Sequence, residues 1–236
     1  MVSGGAKAPY FLSVRPASVD AMADPNHRIA TTNRLLAADM FASLTPEQWS
    51  TPSLCEGWTV REIAGHLVAP LESDFSWRQV LGVLVRYRGD LGRYVDDETR
   101  QRSARPTEQL VGQLRELAGT ELTVPFTGSG GPMADSAIHL RDAARPLGLD
   151  VSPDLAAWRA TLDFLVSKPA TRGFVTRKRL SGLRLVATDQ EWTWGSGAEV
   201  RGPSEALAMA VSGRPVALAE LEGPGVLVLR ERLVKP

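Results

Sequence analysis

Two of the three histidines in this 236-residue chain stand where side chains could converge on a ligand. In "DSAIHLRDAARPLGL", Asp135 and His139 are four residues apart, which stacks a carboxylate and an imidazole on one helix face. Asp142 follows on the same side, and the three residues span an arc of about 60°. Ile138 flanks this strip on one side and Leu140, Ala143 and Leu147 on the other, so polar groups are set into buriable surface, a costly arrangement unless they find partners. A divalent metal is one such partner. Zinc accepts imidazole nitrogen and carboxylate oxygen, and a catalytic site leaves a position open beside three protein ligands. His66, in "SLCEGWTVREIAGHL", is the candidate third ligand, lying roughly 130° from the centre of its helix's apolar stripe. A bare D-x-x-x-H pair is more often a surface hydrogen bond than a metal site, and spacing alone leaves both readings open. His27 lies at the edge of an irregular extension and is incidental to this set.

The helix that carries His66 is well marked. Thr59 and Glu62 form a capping box, Trp58 and Ile63 occupy the staple positions, and Val60, Ile63, Ala64, Leu67, Val68 and Leu71 form one stripe. Upstream, Ile29, Leu35, Leu36, Met40, Phe41 and Leu44 predict an amphipathic helix, followed by a short turn opened by "TPEQW". Helical pattern continues through "FSWRQVLGVLVRYR" and, after a polar break, through "RPTEQLVGQLRELAG" to a stop at Gly119. Val124 to Pro132 reads as a loop, the Asp135 helix runs to the Arg145–Pro146 junction, and a further helix starts at Ser152 with Pro153 at its first position. About four principal helices make a bundle. Past Lys168, "LRLVATD", "WTWG" and "AEVRG" read as meandering strands, "PSEALAMAVSG" as a helix stopped by Gly213, and "PGVLVLRERL" as a last helix. The expected fold is mainly α with a small α/β part. Residues 1–25 form a flexible extension, 26–168 a helical bundle and 169–236 a small C-terminal α/β domain.

Lys+Arg and Asp+Glu are equal at 27 each, so no net field recruits nucleic acid or an anionic membrane. No apolar run approaches the roughly 18–20 residues of a membrane span, and no secretory leader pattern opens the chain, so a cytoplasmic protein is expected. Met22 is an alternative start. The lone cysteine, Cys55, forms no intrachain disulfide, and is read as a packing residue rather than a nucleophile at a helix mouth. Trp192 and Trp194 are read as core.

"SLCEGWTVREIAGHL" together with "DSAIHLRDAARPLGL" resembles the mycothiol-dependent maleylpyruvate isomerase family, within the DinB-like superfamily of metal-binding four-helix bundles. The likeness continues through "GLRLVATDQEWTWGSGAEVRGPSEALAMAVSGRP", similar to that family's small, sterol-carrier-like α/β domain, and so covers about residue 28 to nearly the end. It implies a metal held by His66, Asp135 and His139, zinc or another divalent ion, with mycothiol as thiol cosubstrate. The best-known pattern of the family has Glu where Asp135 stands, one methylene longer. The implied chemistry is attack of a metal-activated thiolate on a small electrophile, ending in thiol transfer or in cis–trans isomerisation. An anionic substrate would need a nearby cation, for which Arg145, Arg201 and Arg214 are candidates. The implied partners are the electrophile and a low-molecular-weight thiol, without nucleic acid or membrane, in a monomer or homodimer. The alternative is a non-catalytic ligand- or protein-binding module with a structural or absent metal. Asp142 is open between a hydrogen bond to a ligand histidine and an ion pair with Arg145.

Overall fold

A computed structural model describes residues 24–73 and 77–234. The expected flexible extension and Met22 lie outside them, apart from the last residues of the former. Helices α1 (Pro25–Ala42), α2 (Pro46–Trp49), α3 (Val60–Val68), α4 (Trp77–Arg86), α5 (Leu91–Ser103), α6 (Thr107–Leu117), α7 (Gly130–Ala144) and α8 (Leu155–Leu165) precede a short α9 (Arg177–Leu180). Strands β1 (Leu183–Ala187), β2 (Thr193–Gly195) and β3 (Ala198–Gly202) follow, then α10 (Ser204–Val211) and α11 (Gly225–Val234). The chain is mainly helical with one small sheet, as its patterning predicts. No described helix is long and apolar enough to cross a membrane.

Local chemistry sets the helix starts. Asp24 accepts from the Asn26 N–H ahead of Pro25, and Thr45 and Gln48 close a capping box around Pro46. The Thr59–Glu62 box opens α3, where Glu62 accepts the Thr59 N–H at 2.9 Å. Helix α8 starts later than expected: Asp154, not Ser152, is its cap, accepting from the Ala157 N–H at 2.7 Å. Ser152 instead donates to Glu205.

The polar break expected after α4 is in fact helix α5. Its sequence, LGRYVDDETRQRS, has no broad apolar stripe. The helix is held by Asp90, which caps it through the Arg93 N–H, and by packing of small polar residues, Thr99 and Ser103, against α3. Gly65 makes that approach possible. A Cβ there would sit 2.8 Å from the Ser103 nitrogen and 2.8 Å from the Thr99 carbonyl oxygen, both backbone atoms.

The strands do not meander. The order is β2-β1-β3, with β2 antiparallel to β1 and β3 parallel to it, and Leu185 stands between Trp194 and Val200. The chain crosses β1 between β2 and β3 at Gly197, whose φ of 127° and closeness to the Gly182 carbonyl exclude a side chain.

Two apolar cores meet at α7. One gathers Phe41, Trp49, Ile63, Leu67, Leu110, Leu114, Leu140 and neighbours from α1, α2, α3, α6 and the later turns of α7. The other gathers Met133, Ala137 and Ile138 of α7 with Trp158 and Leu162 of α8, the sheet and α10. Helix α8 thus packs against both α7 and α10. Half-buried ion pairs reinforce the junction: Glu205 on α10 accepts from Arg141 at 2.8 Å and from Arg145 at 2.6 Å.

Candidate metal centre

Helix α3 carries His66, and α7 carries Asp135 and His139 one turn apart. Their donor atoms all lie within 4.8 Å of one another. His66 Nε2 and His139 Nε2 are each 3.4 Å from the Asp135 carboxylate, and the imidazole centroids are 4.5 Å apart, edge to face. A tetrahedral ion bound at about 2.0–2.2 Å separates neighbouring ligand atoms by roughly 3.3–3.6 Å. Two edges of the triad already have that length, so the residues fit a divalent metal, and the shorter aspartate reaches both rings.

The ring orientations are set from behind. Asp142 Oδ2 lies 2.9 Å from His139 Nδ1, the nitrogen turned away from Asp135, and the Thr99 hydroxyl lies 3.4 Å from His66 Nδ1. A ligand imidazole held through its second nitrogen keeps the tautomer that leaves Nε2 free. Trp58 covers both rings, with its centroid 5.0 Å from His66 and 6.2 Å from His139, and is fixed by donating Nε1–H to Asp96 at 2.8 Å. Trp58 thus lies against the site as well as beginning the helix.

Burial disfavours charge throughout this cluster, and pairing overcomes it. Asp135 is desolvated, yet His139 and His66 hold its carboxyl well below the ordinary value. Burial likewise opposes protonation of His139, and the Asp135 carboxylate outweighs it, lifting the pKa well above 6.5. Asp142 is fully buried, and His139 with Arg214 keeps it ionised against its desolvation. It binds His139 rather than Arg145, which resolves the two alternatives its spacing left open.

A second potential metal-holding group, Cys55, His139 and Asp142, adjoins the first. It already contains a cation. Arg214 donates to both oxygens of Asp142, Nε at 2.9 Å and Nη2 at 2.5 Å, and Nη2 also reaches Cys55 Sγ at 3.4 Å. The Cys55 thiol donates to Asp142 at 3.1 Å and approaches His139 from its Nδ1 side. An ion there would face the Arg214 guanidinium, so the first triad is the better metal centre, and Cys55 sits on the wrong side of His139 to be its fourth ligand. Reading Cys55 as simple packing missed this polar role.

A cavity of about 340 Å³ opens beside the triad, with His66 and Asp135 in its wall. Arg145, Arg201 and Arg214 are not among its described lining residues. Arg145 is paired with Glu205 and Glu220, Arg201 is exposed on β3, bridged through its backbone to Glu222, and Arg214 serves Asp142. The cations that do line the cavity are Arg34 and Arg172. Arg34, on α1, is 3% exposed and donates Nη1 to the carbonyls of Ala118 and Thr120, each at 2.9 Å.

Residues 34–147 match the model of the mycothiol maleylpyruvate isomerase N-terminal domain. No curated protein matches the chain. Among solved structures, a His-to-Ala variant of the mycothiol-dependent maleylpyruvate isomerase is similar at a TM-score of 0.52 and 11% identity, over 84% of this chain and 91% of that one. Another crystal structure of the mycothiol-dependent maleylpyruvate isomerase aligns at a TM-score of 0.48 and 13% identity, over 80% and 88%. The first likeness shows a shared fold that extends beyond the bundle into the C-terminal elements. Over residues 34–147, just under half of its length, the chain is similar to the mycothiol maleylpyruvate isomerase N-terminal domain family.

Proposed function

We propose that this protein is a metal-dependent enzyme that uses a low-molecular-weight thiol, mycothiol by its family, to transfer to or isomerise a small electrophile. The observation that carries the reading is the placement of His66 and Asp135 in the wall of a ligand-sized cavity, with His139 joined to them through Asp135. His66, Asp135 and His139 would hold the metal, zinc or another divalent ion. When bound, such an ion lowers the pKa of a thiol and supplies thiolate at neutral pH.

The remaining roles belong to the chain's own residues. Asp142 holds the His139 ring and its Nδ1 proton, and Arg214 keeps that carboxylate ionised. Thr99 steadies His66 from behind. Trp58 packs beside both imidazoles. No fourth protein ligand accompanies the triad among the described residues, as a catalytic centre requires and a closed structural site does not.

Metal analysis by inductively coupled plasma mass spectrometry on wild type and His139→Ala tests this. Near-stoichiometric metal in the parent, lost in the variant, is expected, together with metal-dependent consumption of mycothiol in the presence of an electrophile panel that includes maleylpyruvate. Equal metal content in both proteins would overturn the site, and metal without thiol turnover would leave a binding module.

A further inference from the structure

Arg34 is a buried cation that no described carboxylate pairs with directly, Asp135 acting on it only through space. Its guanidinium spends Nη1 on the carbonyls that follow α6. The Nε–H and Nη2–H₂ donors, the edge whose fork matches a carboxylate, have no acceptor among the described residues. No carboxylate of the described chain lies within ion-pair distance of Arg34: Asp135, in the same cavity wall, is turned to the two histidines. Glu98, also in that wall, is paired with Arg102 at 2.8 Å. Burying an unmatched guanidinium is costly, and a helix cap alone does not require a charge.

The surroundings describe the rest of the ligand. Leu67, Leu91, Val95, Leu122, Val124 and Phe174 line the same cavity. A compound with one charge and an apolar body satisfies both features, whereas a short dianion has no apolar body to cover these walls, and the other lining cation, Arg172, lies over the Phe126 ring. We infer that the cavity takes an amphipathic monocarboxylate, its carboxylate seated on Arg34 and its apolar body along these walls. This rests on the proposed enzyme reading for its consequence, that the compound is the electrophilic substrate, but the binding itself requires no metal.

Calorimetric titration of 5-phenylpentanoate, 5-phenylpentanamide and succinate tests it, on wild type, on wild type stripped of metal by a chelator, on Arg34→Met and on Arg34→Lys. The acid is expected to bind wild type at least tenfold more tightly than the amide, with succinate weaker than both. Arg34→Met should bind acid and amide alike, and Arg34→Lys should retain part of the preference. Wild type stripped of metal should keep the full preference, so the anion site stands or falls apart from the metal. Because Arg34 also caps α6, folding of each variant is checked by circular dichroism, and the acid-to-amide comparison on wild type decides the matter if Arg34→Met is unfolded. Equal binding of acid and amide to wild type, tighter binding of succinate, or no binding of any probe would overturn the inference.

Discussion

The Asp142 carboxylate bridges His139 and Arg214, with Oδ2 2.9 Å from the imidazole Nδ1 and 2.5 Å from the guanidinium Nη2. One buried carboxylate thereby ties a candidate metal ligand on α7 to the segment after α10. Asp142→Asn keeps the shape but weakens the acceptor that orients His139. Loss of such a partner lowers metal affinity by about 10–100-fold. Competition with a chromogenic zinc chelator should show a fall of that order, together with a lower thermal midpoint of the metal-free protein, because the Arg214 guanidinium loses its carboxylate.

Removing the other partner has a different result. Arg214→Met strips the compensating cation from a fully buried carboxylate, which costs about 3–5 kcal/mol. Urea unfolding should show that loss, and Asp142→Asn combined with Arg214→Met should recover part of it, because the neutral amide no longer needs the cation. Additive losses in the double variant would refute the coupling.

Close approach of α3 and α5 makes Gly65 a second control point. In Gly65→Ala the new methyl meets backbone of Ser103 and Thr99 rather than a movable side chain, and overpacking of this kind costs about 1–3 kcal/mol. The same displacement withdraws Thr99 from His66 Nδ1. Metal retention against a chelator should therefore drop in Gly65→Ala along with stability, whereas Thr99→Val should weaken retention with a smaller change in the urea midpoint.

At the junction of the two cores, Glu205 carries the pH dependence. Its burial favours the neutral acid, but Ser152, Arg141 and Arg145 outweigh that and lower its pKa below 4.5. A carboxylate depressed on folding contributes stability that is complete above its unfolded pKa and lost as pH falls through the folded value. The stability difference between wild type and Glu205→Gln should be flat above about pH 5 and shrink progressively in more acid solution. A difference that grows on acidification would contradict this assignment.

The helices with broad apolar stripes and marked caps were legible, as Thr59–Glu62 and the α3 stripe illustrate, and so was the juxtaposition of His66 with Asp135 and His139. Helix α5 was hidden because it packs through Thr99 and Ser103 against a glycine, leaving no hydrophobic period to read. The arginines were harder still. Of the candidate arginines, Arg201 is exposed, and the partners of the other two, Glu205 and Glu220 for Arg145 and Asp142 for Arg214, are distant in sequence and paired only by the tertiary structure. Arg34 left a signal that was overlooked: it shares the buried face of α1 with Ala30, Ala37, Ala38 and Phe41, where an arginine needs a reason. The sheet order was not readable because alternation fixes which face a strand buries, not which neighbour it chooses.

Phe126 closes the cavity wall in an unfavourable conformation. It has φ of 73° in the tight turn bridged by Val124 and Gly128, is 68% exposed, and lies under the Arg172 guanidinium at 5.1 Å. A left-handed backbone costs a non-glycine residue about 1–2 kcal/mol, and glycine's extra freedom in the unfolded chain offsets roughly 0.5–1 kcal/mol of the gain from relieving it. Phe126→Gly should accordingly leave the urea midpoint unchanged or slightly raised. The ring is also apolar surface at the cavity and the platform for one of its two lining arginines. Affinity for an apolar carboxylate should fall severalfold in Phe126→Gly, as read by titration of 5-phenylpentanoate. A stable variant with undiminished affinity would show that the aromatic ring has no part in holding the ligand.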